Sequence, residues 1–217
     1  MTDRQDSLSS LDTFPKLLLD HGINRPNRVA LREKDLGIWL TWDWSQVVEN
    51  VRSLACGLAS FGFEREDKVA IVGDNRPELY MAMMAIQSLG GIPVPVYQDS
   101  VAEEMQYVLE HAEVKFAIVE NQEQADKVLS VQDRCPNLTS IIYNDPRGMR
   151  HYRQSDLFAY KEVQARGHQF DKNNPDYFLD EIAKGKGADV GVMLYTSGTT
   201  GRPKGVMLSY DNVIITC

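Results

Sequence analysis

Between Val192 and Val206 the sequence reads VMLYTSGTTGRPKGV. An apolar run ends at Tyr195 and gives way to Thr196, Ser197, Gly198, Thr199, Thr200 and Gly201, then Arg202, Pro203 and Lys204. These residue types suit phosphate. The four hydroxyls can donate to phosphate oxygens. Gly198 and Gly201 leave bare backbone whose N–H groups can converge on an anion. Lys204 brings positive charge without a rigid geometry, and Pro203 restricts the chain just before it. The nucleotide loop G-x-x-x-x-G-K-[ST] is excluded, because Lys204 follows a proline, precedes Gly205 and leads into an apolar, strand-like run. The dinucleotide pattern G-x-G-x-x-G is also absent from this stretch. A plain hairpin turn would need about two to five residues; this connection is longer, so a phosphate-gripping loop is the stronger reading.

The elements that must hold such a loop follow from periodicity. A helix is expected over 11–21, capped by Ser10 and stopped by Gly22. A hairpin is expected from Val29–Arg32 and Ile38–Thr41 across Asp35-Leu36-Gly37. Val47, Val51, Leu54, Leu58 and Phe61 form one helical face after a cap at Asp43 or Thr41. Strand–helix alternation then sets in. Strands are expected at 68–72, 92–96, 115–119, 138–143 and 190–195, with Pro93 and Pro95 assigning 92–96 to an edge. Helices are expected from Asn75 (as cap) to Leu89, over 101–112 after a cap at Ser100, over 120–131, over 156–166 and from Asn174 to Lys184. Residues 205–209 return as a strand, and a helix begins at Tyr210. This order predicts an α/β fold, a mostly parallel sheet with flanking helices. Residues 1–9 are expected to be disordered and 10–217 to form part of a single domain.

Composition narrows the function. Hydrophobic residues at 43% supply a core for a chain of 217 residues. The net charge of −8 and the absence of a long basic run argue against nucleic acid as a partner. Cys56, Cys135 and Cys217 form neither metal spacing nor a disulfide framework, which fits a reducing, cytoplasmic setting. No apolar run reaches transmembrane length. His21, His111, His151 and His168 show no ligand spacing and read as surface or capping residues. Met81, Met83 and Met84 read as core, Trp39, Trp42 and Trp44 as packing under the first helix with a protein interface as the alternative, and Glu120–Asp126 as a solvated helix face. No metal ligands are assigned. Oligomeric state is not legible.

YTSGTTGRPKGVMLS, Tyr195 to Ser209, resembles the phosphate-loop signature of the AMP-forming adenylating enzymes: acyl-CoA synthetases, firefly-luciferase-like enzymes and peptide-synthetase adenylation domains. The resemblance covers most of the chain. Leu40-Thr-Trp-Asp-Trp-Ser45 looks like the family's first core motif and Ser88-Leu-Gly-Gly-Ile-Pro-Val-Pro-Val-Tyr97 like its second. Gly73-Asp-Asn-Arg-Pro-Glu78 matches the segment between them. The resemblance implies the N-terminal part of that family's large domain. It implies a two-step reaction in which a carboxylate attacks the α-phosphate of ATP and a thiol, often coenzyme A, then takes the acyl group. Thr196, Ser197, Gly198, Thr199, Thr200, Gly201 and Lys204 become ATP-binding candidates, with Mg²⁺ helping to neutralise the phosphates. The run after Tyr97 resembles long-chain fatty acyl-CoA synthetases most. A cytoplasmic protein is expected, with a peripheral seat at a membrane where a fatty substrate resides, and with no anchor of its own. The adenine site, the Mg²⁺ glutamate and the catalytic lysine of the family lie downstream of Cys217, so no catalytic residue is assigned here. The chain is expected to be a truncated piece that does not complete adenylation alone. Another carboxylate, a carrier-protein thiol as acceptor, or a non-catalytic phosphate-binding module are the alternatives.

Overall fold

Helix α1 (Phe14–Asn24) opens the structure, a computed structural model that describes residues 8, 10–196 and 202–216. Its cap is Thr13, whose hydroxyl accepts from the Lys16 N–H. The expected start at Leu11 with Ser10 as cap is corrected, because Pro15 fits the first turn and Thr13 is the hydroxyl in reach. Of residues 1–9 only Leu8 is described, and it packs against the core. Strands β1 (Val29–Asp35) and β2 (Ile38–Asp43) form the expected antiparallel hairpin around Leu36-Gly37. Helix α2 (Trp44–Ser60) follows directly. Asp43 caps it in a reciprocal box with Gln46, at 2.9 and 3.0 Å. Val47, Val51, Leu54 and Leu58 are fully buried, as their spacing predicts.

A five-stranded parallel sheet is the centre. Strands β3 (Lys68–Val72), β4 (Ile92–Val96), β5 (Val114–Val119), β6 (Ser140–Tyr143) and β7 (Leu157–Ala159) run in the order β4-β3-β5-β6-β7. Pro93 and Pro95 lie on β4, at the end of that order, where a missing N–H breaks no ladder. Helices α3 (Pro77–Ser88), α4 (Ala102–His111) and α5 (Gln122–Val131) are the crossovers. Two buried clusters sandwich the sheet. One joins α1, α2 and α3 to Val69, Ile71, Phe116 and Ile118. The other joins α4 and α5 to Ala70, Val72, Ala117 and Val119. The alternation of Val69 to Val72 between clusters is the period-2 geometry of a strand covered on both faces.

Two more expected caps move, and one expected helix divides. Asn75 does not cap α3; Arg76 holds the cap position without a side-chain bond, and Asn75 accepts from the Tyr80 hydroxyl. Ser100 does not cap α4, which starts after Val101. The expected helix 156–166 is two elements. Leu157–Ala159 pairs in parallel with Ile141–Tyr143 as β7, and helix α6 (Tyr160–Asn173) begins only afterwards. Helix α7 (Tyr177–Lys184) completes the layer.

Helices α2 and α6 cross at two glycines. A Cβ on Gly57 would lie 2.3 Å from the Val163 carbonyl oxygen, and one on Gly167 would lie 1.7 Å from that of Ser53. Only glycine permits this approach. Arg52 locks the crossing by donating twice to Asp171, each at 2.9 Å.

The order β4-β3-β5-β6-β7 places the topological switch between β3 and β5. Open α/β sheets offer a ligand crevice at that point, beyond the carboxyl ends of the strands. Here Glu120 fills it. Its carboxylate accepts from the Asp74 N–H at 2.7 Å and from Arg76 Nε at 3.0 Å, while Arg76 also reaches Glu33 on β1 at 2.6 Å. Gly73, at φ 155°, leaves no room for a side chain beside Glu120. The expected solvated face is corrected at this residue: Glu120 is buried and ties the end of β5 to that of β3, with Arg76 carrying the link on to Glu33 of the β1–β2 hairpin. The expected packing of the tryptophans holds for Trp42 and Trp44, with Trp44 edge-on to His21 at 4.5 Å. Trp39 is instead exposed.

Candidate functional site

Strands β8 (Val190–Thr196) and β9 (Lys204–Ser209) form an antiparallel pair, and β8 runs beside the β4 edge. Gln87 on α3 fixes β8 by donating to the Gly191 carbonyl at 2.7 Å. Met193 points into the buried layer and Leu194 outward, as alternation requires. Ser209 caps helix α8 (Tyr210–Ile214) in a reciprocal box with Asn212, so the end of β9 is defined by side-chain chemistry. The loop is therefore carried on a hairpin, with Thr196 paired to Lys204 at its base. Thr196 and Lys204 are exposed. Ser197, Gly198, Thr199, Thr200 and Gly201 lie outside the described residues.

One helix face holds both sides of that base. Tyr107 on α4 donates its hydroxyl to the Pro203 carbonyl at 3.0 Å. One turn on, His111 Nδ1 lies 2.6 Å from the Tyr195 hydroxyl. The Tyr107 and His111 rings stack at 5.3 Å, and both present edges to Tyr195, at 6.4 and 5.7 Å. The Arg202 guanidinium sits over the Tyr107 ring at 5.7 Å. Burial, with Tyr107 nearby, pushes the Tyr195 phenol up to about 12, so it stays neutral at ordinary pH. Sequence reading placed His111 on the surface and passed over Tyr107. The available signal was their i, i+4 spacing, which puts two rings on one helical face.

Two hollows flank this aromatic post. A cleft of about 680 Å³ runs between the end of β4 and α4, with Val96, Tyr97 and Thr196 on its walls and Glu103 and Glu104 on its rim. A second, of about 430 Å³, gathers His111, Arg202 and Lys204 around Tyr107. Among the described residues no carboxylate pairs with Lys204. An unpaired lysine beside an arginine and a hydroxyl fits an anion of high charge. Among the described residues no three metal-ligating side chains come together. No helix there is long and apolar enough to cross a membrane.

These features define an α/β domain whose edge hairpin presents a cationic loop base over an open cleft. The AMP-binding enzyme family model matches residues 20–217, and the chain belongs to that family. It is 38% identical over 187 residues to the long-chain-fatty-acid–CoA ligase ACSBG2 of Xenopus laevis, covering 85% of this chain and 24% of that protein. The human ACSBG2 is 35% identical over 187 residues, with 85% and 27% covered. The chain thus spans about a quarter of the length of these relatives. Its fold matches anthranilate CoA ligase AuaEII, solved in complex with anthranoyl-AMP, at a TM-score of 0.76 and 21% identity over 94% of this chain and 36% of that one. The architecture is that of the N-terminal domain of adenylate-forming enzymes.

Proposed function

We propose that the chain is the N-terminal portion of an ATP-dependent, AMP-forming long-chain fatty acid CoA ligase. The carrying observation is the Thr196–Lys204 pair at the loop base, inside a run that keeps the adenylating signature. In this reading Lys204 and the hydroxyls from Thr196 to Thr200 grip the β- and γ-phosphates of ATP, while Gly198 and Gly201 let the backbone close on them. A fatty acid carboxylate oxygen attacks the α-phosphorus, the bond to the β-phosphate oxygen breaks and pyrophosphate leaves. The coenzyme A thiolate then attacks the acyl carbon and AMP leaves. Mg²⁺ would enter with the triphosphate, held by phosphate oxygens and by groups outside this chain. Neutralising charge on the leaving pyrophosphate is the main service such a loop provides. Support for the long-chain acyl group comes from the ACSBG2 relatives.

The test is carboxylate-dependent ATP–pyrophosphate exchange by the complete polypeptide, with palmitate against acetate, benzoate and amino acids. Preference for palmitate is expected; preference for any of the others sinks the long-chain assignment. The 217-residue chain alone is expected to give no exchange.

A further inference from the structure

The β1–β2 turn breaks two local rules at once. Leu36 and Gly37 both have positive φ, 46° and 86°. A two-residue turn of that kind favours Asn, Asp or Gly at its first position, and a bulky residue there is strained. Leu36 gains no packing in return, since it is 95% exposed. Ile38 and Trp39 beside it are 67% and 62% exposed. Scattered apolar side chains on a surface are ordinary; three bulky ones within four residues of a projecting turn form a patch. Register adds charge to it. Lys34 stands across from Trp39, with Nζ 5.8 Å from the ring centre, and Arg32 stands across from Thr41 on the same outer face. From Arg25 to Trp42 there are four basic residues and two acidic ones, on a chain of net charge −8. Both acids are offset: Glu33 is held by Arg76, and Asp35 lies near Arg147.

We propose that the β1–β2 tip docks on an anionic lipid surface. Leu36, Ile38 and Trp39 enter the boundary between headgroups and acyl chains, and Lys34 and Arg32 face the acidic headgroups. An indole at headgroup depth flanked by long cationic side chains is the chemistry that boundary selects. Charge decides against a second copy of the chain as occupant, because two such tips would bring their cations together. A strained, unpacked leucine is what remains when a position serves an outside contact and not the fold. The proposal does not depend on the enzymatic reading.

The 217-residue chain is sedimented with phosphatidylcholine vesicles and with vesicles to which phosphatidylserine is added. Binding is expected to the second kind, weakening with salt, with a blue shift of tryptophan emission. Lys34→Gln should lower it about fivefold, the usual share of one basic residue near an anionic surface. Leu36→Asn gives the sharper reading: it relieves the turn, so the melting temperature should rise while vesicle binding falls. Trp39→Ser should remove most of the blue shift. Absent binding, equal binding to both vesicles, or binding untouched by Leu36→Asn and Trp39→Ser would each overturn the proposal. So would a dimer, abolished by the same substitutions, in a chain that ignores vesicles.

Discussion

His111 Nδ1 and the Tyr195 hydroxyl lie 2.6 Å apart, joining the last turn of α4 to the residue before the polar loop. With Tyr107 bonded to the Pro203 carbonyl on the other side, one helix face controls both ends of the 196–204 connection. A hydrogen bond of this kind contributes about 1 kcal/mol. Tyr195→Phe and His111→Phe should each cost roughly that in urea melts. Their double mutant should cost less than the sum, by about 0.5–1.5 kcal/mol, if the two side chains act on each other. Additive losses would show that the contact carries no energy.

Lys204 is exposed and pairs with no carboxylate among the described residues, so Lys204→Ala should leave the fold intact. In the complete polypeptide it should lower ATP–pyrophosphate exchange by about 10- to 100-fold, the equivalent of losing one charge-assisted contact of about 1.5–3 kcal/mol. Thr196→Ala, losing one neutral donor, should lower it by about fivefold. Unchanged exchange in Lys204→Ala would remove this residue from the phosphate site.

Gly167→Ala tests the α2–α6 crossing. The added carbon would stand 1.7 Å from the Ser53 carbonyl oxygen, so the helices must part. A loss of about 1–3 kcal/mol, typical of overpacking, is expected as a lower urea midpoint. An unchanged midpoint would mean that the helices separate at no cost.

Glu120→Gln keeps the shape but removes the charge shared by Arg76 and the Asp74 N–H. Charged hydrogen bonds contribute about 1.5–3 kcal/mol, and Arg76 is partly exposed, so a loss near the lower end is expected by chemical denaturation. Glu120→Ala should cost more, because it also opens the crevice between β3 and β5. Equal stability of both variants and the parent would contradict the bridging role.

Alkaline pH should destabilise the protein. Burial pushes the Cys56 thiol from 9.0 up to about 12 and the Tyr195 phenol from 10.0 up to about 12, and it raises Tyr160 and Tyr210 as well. The folded chain therefore keeps protons that the unfolded chain releases. The stability so gained is complete below about pH 9 and is lost as pH rises toward 12. Melting temperatures should be level from pH 7 to about 9 and fall beyond it. Burial raises the Cys135 thiol too, so Cys56→Ala should make the first part of the fall shallower, and Cys56→Ala with Cys135→Ala should delay its onset by about one pH unit, to the tyrosine range. A level profile to pH 11 would refute the buried-thiol account.

The legible part of the fold was the part set by burial. Lys68–Val72 and Ile92–Val96 are short apolar runs bounded by glycine or charge, and both strands have the expected limits. The Asp43 cap also follows from local chemistry, and Gly37 marks the β1–β2 hairpin although Leu36 beside it does not suit the turn. The strand Leu157–Ala159 was hidden because three residues carry no period, and they run unbroken into a helical pattern; pairing with β6 decides their state. Misplaced caps at Ser10, Asn75 and Ser100 share one cause. Several small polar residues precede each helix, and tertiary packing selects which position begins it. At the candidate site, residue types single out Thr196 and Lys204 as candidates, and the structure places them opposite each other at the loop base. Tyr107 and His111 were missed because their role depends on which strand lies over α4, a relation across more than eighty residues.

The glycine crossing has a consequence in time. Helix α2 leaves the ribosome early, but the helix that packs on its side carrying Ser53 and Gly57 ends more than a hundred residues later. At ordinary synthesis speeds that gap lasts roughly 5–20 s. During it the sheet strands β3 to β7 are appearing one after another, each able to pair with one already made. The side of α2 that carries Val47 and Leu58 can meet α1, α3 and the sheet as these are made, whereas the side with Ser53 and Gly57 must wait for a partner not yet translated, an interval set by the distance between Gly57 and Gly167.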